Sequence, residues 1–228
     1  MEQRRIVRVL AAITAEPLGS LSDRLCSAAQ RQLAASGVGL SLAVSDALLE
    51  PVVATKGALD GEALQAELGD GPSYTSWRSG EPVLVPDVRL DQTWPTFAHA
   101  ATALGLCSVF AFPLRRAAVR SGALTLYRDA EAAFTDDHHA DALIYARLGH
   151  DLLVSMQTDR PADELDQLII DGTADTAEIH QAAGVVSVQL GIDVSSALAV
   201  LRARAFADDQ SLRDLASDVV TRRVRFDD

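Results

Sequence analysis

The hydrophobic period of this chain changes close to Ala35, and that change limits the folds open to it. Up to Ala15, residues Ile6, Val7, Val9, Leu10 and Ile13 recur at three- and four-residue spacing, the stripe of an amphipathic helix that stops at Glu16-Pro17. A second helix is predicted from Ser20 or Ser22 to Ala35. Beyond it the spacing becomes two. Val38, Leu40, Leu42 and Val44 alternate with Gly39, Ser41 and Ala43, the mark of a half-buried strand, and residues 48–55 form its natural hairpin partner. A chain that opens with helices and then pairs neighbouring strands belongs to the α+β class.

The remaining punctuation extends that reading. Residues 59–68 have helical spacing and end at Gly69, and only a short edge strand fits between Pro82 and Pro86. Residues 109–114 and 123–127 read as two more strands joined by a basic turn. Thr135-Asp136-Asp137 caps a long helix through about Gln157. The expected domain is an antiparallel sheet of five to six strands with helices at both ends of the chain segment. A polar stretch with a proline, Thr158 to Asp163, marks the boundary, dividing the chain into residues 1–160 and 161–228.

Composition narrows the class. Hydrophobic residues make up 48 % of the 228 residues but aromatic ones only 5 %, so the cores must be built from Ala, Leu and Val. Cys26 and Cys107 lie far apart, a unit this large needs no disulfide, and no signal peptide or long apolar run is present, so the expectation is a reduced, cytoplasmic protein without a membrane span. With 20 basic against 32 acidic residues the net charge is −12, which disfavours non-specific binding to polyanions.

Several motifs carry a resemblance. Leu68-Gly69-Asp70-Gly71-Pro72-Ser73, Gly80-Glu81-Pro82-Val83, Asp87, Trp94-Pro95-Thr96-Phe97, Phe112-Pro113-Leu114, Gly122 to Tyr127 and Phe134-Thr135-Asp136-Asp137 occur in order. Over about residues 20–155 the chain resembles the GAF sensor domains of actinobacterial regulators. The resemblance implies a GAF-like sheet and a small-molecule pocket between the sheet and its connecting segments. Trp77, Trp94, Phe97, Phe110 and Tyr127 are the large side chains able to line such a pocket, and filling the core is the competing reading of each.

The second half reads as three short helices. Residues 179–190 close at Gly191, Asp193 caps a second helix carrying Ala197, Leu198, Leu201 and Ala205, and Asp208, Asp209 or Ser211 caps a third with Leu212, Leu215, Ala216, Val219 and Val220 inward. Ile179, Gln181, Ala182, Gly184, Gly191, Ala197, Leu201, Arg202, Ala205, Leu212, Ala216 and Val220 resemble the signature of the ANTAR domain, an RNA-binding module of antitermination regulators. Ala183 and Thr176 stand where that family usually has basic residues. The expected three-helix bundle would bind RNA hairpins in nascent transcripts through Ala182, Gly184, Arg202, Arg204 and Arg213. This half holds six arginines against thirteen acids, a net charge of −7, so a local arginine cluster and stacked loop bases must supply affinity.

No other chemistry has a visible site. The histidines and cysteines lack ligand spacing, so neither metal nor cofactor is expected, and phosphate-binding loops, zinc-protease motifs and nucleophile elbows are absent, so no enzyme is expected. Ile6, Val9, Leu10 and Ile13, together with Leu143, Leu148, Leu152 and Val154, are stripes in search of partners and suggest a homodimer through the terminal helices. The alternative function is an adaptor of the same fold that senses a ligand or binds protein without RNA binding.

Overall fold

The computed structural model describes residues 2–45, 47–117, 119–131, 133–158, 178–208 and 210–226. The chain divides into two compact units, Met1–Met156 and Gln157–Asp228.

The first unit is built on a five-stranded antiparallel sheet of β1 (Gly37–Ser45), β2 (Leu48–Ala54), β3 (Val83–Val85), β4 (Ser108–Arg116) and β5 (Val119–Arg128), in the order β2-β1-β5-β4-β3. β5 lies centrally, with Leu124 opposite Leu40 on one side and Phe112 on the other, and Leu126 opposite Val38 and Phe110. These residues share one face. Their odd-numbered neighbours on β5, Ala123, Thr125 and Tyr127, share the other. β3 is only three residues long, as the prolines on either side require.

The even-numbered face packs under α1 (Glu2–Thr14), α2 (Leu21–Gln32) and α6 (Asp136–Thr158). Leu25, Cys26, Ala28 and Ala29 of α2 and Ala142, Tyr145, Ala146 and Leu153 of α6 join Val38, Leu40, Phe110, Phe112, Leu114, Leu124 and Leu126 in one core. Ser20 caps α2: its hydroxyl accepts from the Asp23 amide at 3.2 Å, and Asp23 returns a contact to the Ser20 amide at 2.9 Å. The helix ends at Gln32, short of the predicted Ala35, because Ala34 takes a left-handed φ of 50° and turns the chain into β1.

α1 departs from the expectation of a free stripe. Val9 and Ile13 are buried in this unit's own core, and only Val7 and Leu10 of the predicted set stay well exposed. Arg5 and Arg8 fix the helix to α6 by converging on Asp141, at 3.2 and 2.7 Å. The apolar stripe therefore has its partner within one protomer, and Leu148 and Leu152 also pack against the same core.

The second unit contains α7 (residues 178–190), α8 (Val194–Ala207) and α9 (Leu212–Val220). Gly191 ends α7 with a φ of 65°. Asp193 caps α8 by accepting from the Ser196 amide at 2.9 Å, and Ser211, among the three predicted alternatives, caps α9 by accepting from Asp214 at 3.1 Å. Ala182, Ala183 and Val186, then Ala197, Leu198, Leu201 and Ala205, then Leu212, Leu215, Ala216 and Val219, are buried.

Candidate functional site

The odd-numbered face of the sheet is covered by α3 (Leu59–Leu68), α4 (Pro72–Ser79) and α5 (Pro95–Ala103). Here the core changes character. Ser41, Thr125 and Tyr127 project from the strands into a layer that also buries Glu62 and Gln65 of α3 and Ser73 of α4. Glu62 is only 3 % exposed. The Ser41 hydroxyl donates to its Oε2, and the Tyr127 hydroxyl donates to its Oε1 at 2.8 Å. Gln65 donates from Nε2 to the Tyr127 hydroxyl at 2.6 Å, while its Oε1 accepts from the Ser73 amide at 2.8 Å. A continuous chain of hydrogen bonds thus runs from β1 through α3 and β5 to the start of α4.

Two glycines make room for this chain. A Cβ on Gly39 would lie 2.4 Å from Cδ of Glu62, and one on Gly61 would lie 2.4 Å from Cε1 of Tyr127. The first would displace the Glu62 carboxyl and the second the Tyr127 ring, so the polar side chains occupy the space beneath the sheet closely. Ser73 Oγ is buried without a hydrogen-bond partner among the described residues. Such an orphan is uncommon and marks a place where a further group can bind.

Burial governs the electrostatics. Loss of water pushes the Glu62 carboxyl above its usual range, against the opposing pull of Ser41, Tyr127 and Thr125. Burial and the neighbouring Glu62 likewise raise the Tyr127 hydroxyl. A protonated Glu62 can donate one hydrogen bond as well as accept, which suits exchange of partners with a polar ligand. Cys26 lies among apolar residues, where burial raises its thiol and keeps it protonated.

The five aromatic residues expected to line a pocket do not all meet. Trp94, Phe97 and Tyr127 join Val85, Val88 and Ala101 in one cluster on this face. Trp77 sits on the same side of the sheet, in a second cluster with Leu49, Tyr74 and Ala123. Phe110 is not among them: β4 alternation puts it on the opposite face of the sheet, where its ring lies 4.5 Å from that of Phe134 and 5.2 Å from the Arg128 guanidinium.

Sequence reasoning missed Glu62, Gln65, Ser41 and Ser73. α3 has helical spacing, but it turns its polar side inward: Leu59 is 54 % exposed while Glu62 and Gln65 are buried. The available signal was Gly39 and Gly61, small residues placed where a strand and a helix could approach over a polar side chain.

In the second unit, Ala182 is fully buried and shapes the packing of α7, whereas a Cβ built on Gly184 meets nothing within 4 Å. Arg204 and Arg213 are exposed, and Arg204 pairs with Asp208. Arg202 is half-buried, with Nε and Nη2 withdrawn from solvent. Among the described residues, no three His, Cys, Asp or Glu side chains could hold a metal ion together, and no helix is long and apolar enough to cross a membrane.

With this geometry in place, comparison decides the family. The GAF domain family matches residues 15–144, more than half of the chain. The chain belongs to the GAF family. A domain of a two-component sensor histidine kinase protein from Sinorhizobium meliloti is similar at 18 % identity, with a TM-score of 0.53 over 61 % of this chain and 92 % of that one. The GAF domain of a phosphoenolpyruvate-protein phosphotransferase from Coxiella burnetii is similar at 12 % identity, with a TM-score of 0.52 over 69 % of this chain and 95 % of that one. At these identities the likeness is one of fold. No curated protein matches the chain.

Proposed function

We propose that this protein is a non-catalytic, signal-responsive regulator in which the GAF domain takes up a small-molecule signal and an ANTAR-like second unit binds RNA hairpins in nascent transcripts, opposing terminator formation. The observation that carries the RNA reading is the coincidence of the signature with the helices. Ala182, Ala197, Leu201, Ala205, Leu212 and Ala216 are all buried on three consecutive helices, while Gly184 leaves α7 open to close approach. A bare helix surface admits splayed loop bases, and neighbouring arginines neutralise phosphate. Arg204 and Arg213 are the exposed candidates, and Arg202 is half-buried beside them in the sequence.

The sensor reading rests on the buried chain from Ser41 to Ser73, which lies on the face where a GAF ligand is expected and leaves the Ser73 hydroxyl unpartnered. A ligand offering polar groups to Glu62 and Ser73, with its apolar part against Trp94 and Phe97, fits that chemistry. A homodimer would present two RNA-binding units to paired loops.

The test is crosslinking of the full chain to RNA in cells, sequencing of the bound fragments, and electrophoretic titration of the recovered hairpins. The proposal expects a shared hairpin class. It also expects weaker binding by Arg204→Ala and Arg213→Ala, each lost phosphate contact lowering the salt slope by about 0.7 on single-stranded loops. Loss of binding in a folded Gly184→Leu variant would support close approach to α7. Absence of any enriched RNA class would leave the adaptor reading in its place.

A further inference from the structure

A groove of about 520 Å³ opens at the edge of the sheet, between the end of β4 and α6, and shares no residue with the chain of hydrogen bonds around Glu62. Its origin is the shortness of β3. Val83 pairs with Ala111, so the following β4 residues run past the last strand and leave a recess walled by Pro82, Pro113 and Leu143. Arg115, Arg116 and Arg147 stand around it. Arg115 and Arg116 follow one another on β4, and at the open edge of the sheet both line the groove.

This concentration of positive charge is notable in a chain of net charge −12. The acidic partners of Arg115 and Arg116 are loosely placed, Glu81 at the groove's own wall. Arg115 lies 3.8 Å from Glu81, itself 69 % exposed, and Arg116 lies 3.2 Å from Asp151, with both side chains open to solvent. Exposed pairs of this kind hold weakly, so an incoming anion can take over the Arg115 and Arg116 guanidiniums. Guanidinium forks match phosphate oxygens, and the volume falls within the range of small-molecule sites.

We propose that this groove is a binding site for a small phosphate monoester, with the phosphate held by Arg115, Arg116 and Arg147 and a compact apolar body seated on Pro82, Pro113 and Leu143. The site is separate from the sensor face and from the RNA reading, and it stands whether or not either holds.

Calorimetric titration of the full chain with phenyl phosphate tests it, with inorganic phosphate and phenol as the two half-probes. Saturable one-to-one binding of phenyl phosphate, at least tenfold tighter than phosphate and with phenol silent, is the expected result. The Arg115→Gln, Arg147→Gln double variant should weaken it tenfold or more. Leu143 is 41 % exposed, so Leu143→Glu places a negative charge in the groove without disturbing the core and should abolish binding. Circular dichroism confirms that the variants are folded. No saturable binding, equal affinity for phosphate and phenyl phosphate, or undiminished binding by the folded variants would each overturn the proposal.

Discussion

The two faces of the sheet are made from the same strands and do different work. Under α1, α2 and α6, β4 and β5 contribute Phe110, Phe112, Leu114, Leu124 and Leu126 to an apolar core. Polar groups are few there: Arg128 lies over Phe110 and Phe134 and donates to the Leu33 carbonyl at 2.7 Å, and Asp141 and His150 of α6 are buried as well. Under α3, α4 and α5, the alternate residues Ser41, Thr125 and Tyr127 meet a buried carboxyl. Packing alone would be served by a second apolar layer. A buried polar chain is tolerable only when nearly every member is bonded, and the unpartnered Ser73 hydroxyl is where specificity for another molecule can enter.

That contrast can be broken first at its apolar side. Phe112 is fully buried, and Phe112→Ala should lower stability by about 3–5 kcal/mol in chemical denaturation, through lost burial and the cavity left behind. A loss below about 1 kcal/mol would mean that this face is not the main core. On the polar side, Glu62→Leu strands the hydroxyls of Ser41 and Tyr127 and should cost about 2–3 kcal/mol, each buried unpaired group contributing about 1–3 kcal/mol. Little or no loss would show that the chain of hydrogen bonds is replaceable by packing.

The carboxyl itself gives a pH signature. Burial keeps Glu62 protonated in the folded state above its ordinary value of 4.5, while the unfolded chain releases that proton near 4.5. Between those points the folded state binds more protons than the unfolded, so the contribution of Glu62 falls as pH rises from about 4.5 to the folded-state midpoint. Glu62→Gln lacks this penalty. Denaturation midpoints should therefore shift increasingly in favour of the variant above pH 4.5 and keep a constant difference below it. A variant that loses stability relative to the parent as pH rises would reverse the assigned direction. The smallest effect is expected in the second unit: Arg204→Ala breaks an exposed pair with Asp208 and should change thermal stability by less than about 0.5 kcal/mol, so any loss of RNA binding it causes is not a folding defect.

Sequence periodicity identified the strands of the sheet because alternation such as Val38, Leu40, Leu42 against Gly39, Ser41 is a local property. It also paired β1 with β2 and confined β3 between prolines. Which layer a face meets is not local. The stripe of α1 was legible as apolar, but its partner α6 lies more than a hundred residues away, joined through Arg5, Arg8 and Asp141. Phe110 was legible as a large core residue, yet the side it takes depends on its parity relative to Tyr127 across the β4–β5 register. Glu62 and Gln65 were invisible because polar residues on a helix read as its wet side, and only the closure of α3 over β1 and β5 buries them.

The ionisation of Glu62 tests most directly the claim that the α3–α5 face holds a functional, hydrogen-bonded carboxyl. Carbon-13 detected titration of the Glu62 side-chain carboxyl in the full chain reads it without perturbing the fold. The account predicts a midpoint above 4.5, with the carboxyl and the Tyr127 hydroxyl responding together. A midpoint at or below 4.5, or a carboxyl that titrates as an exposed group does, would contradict it.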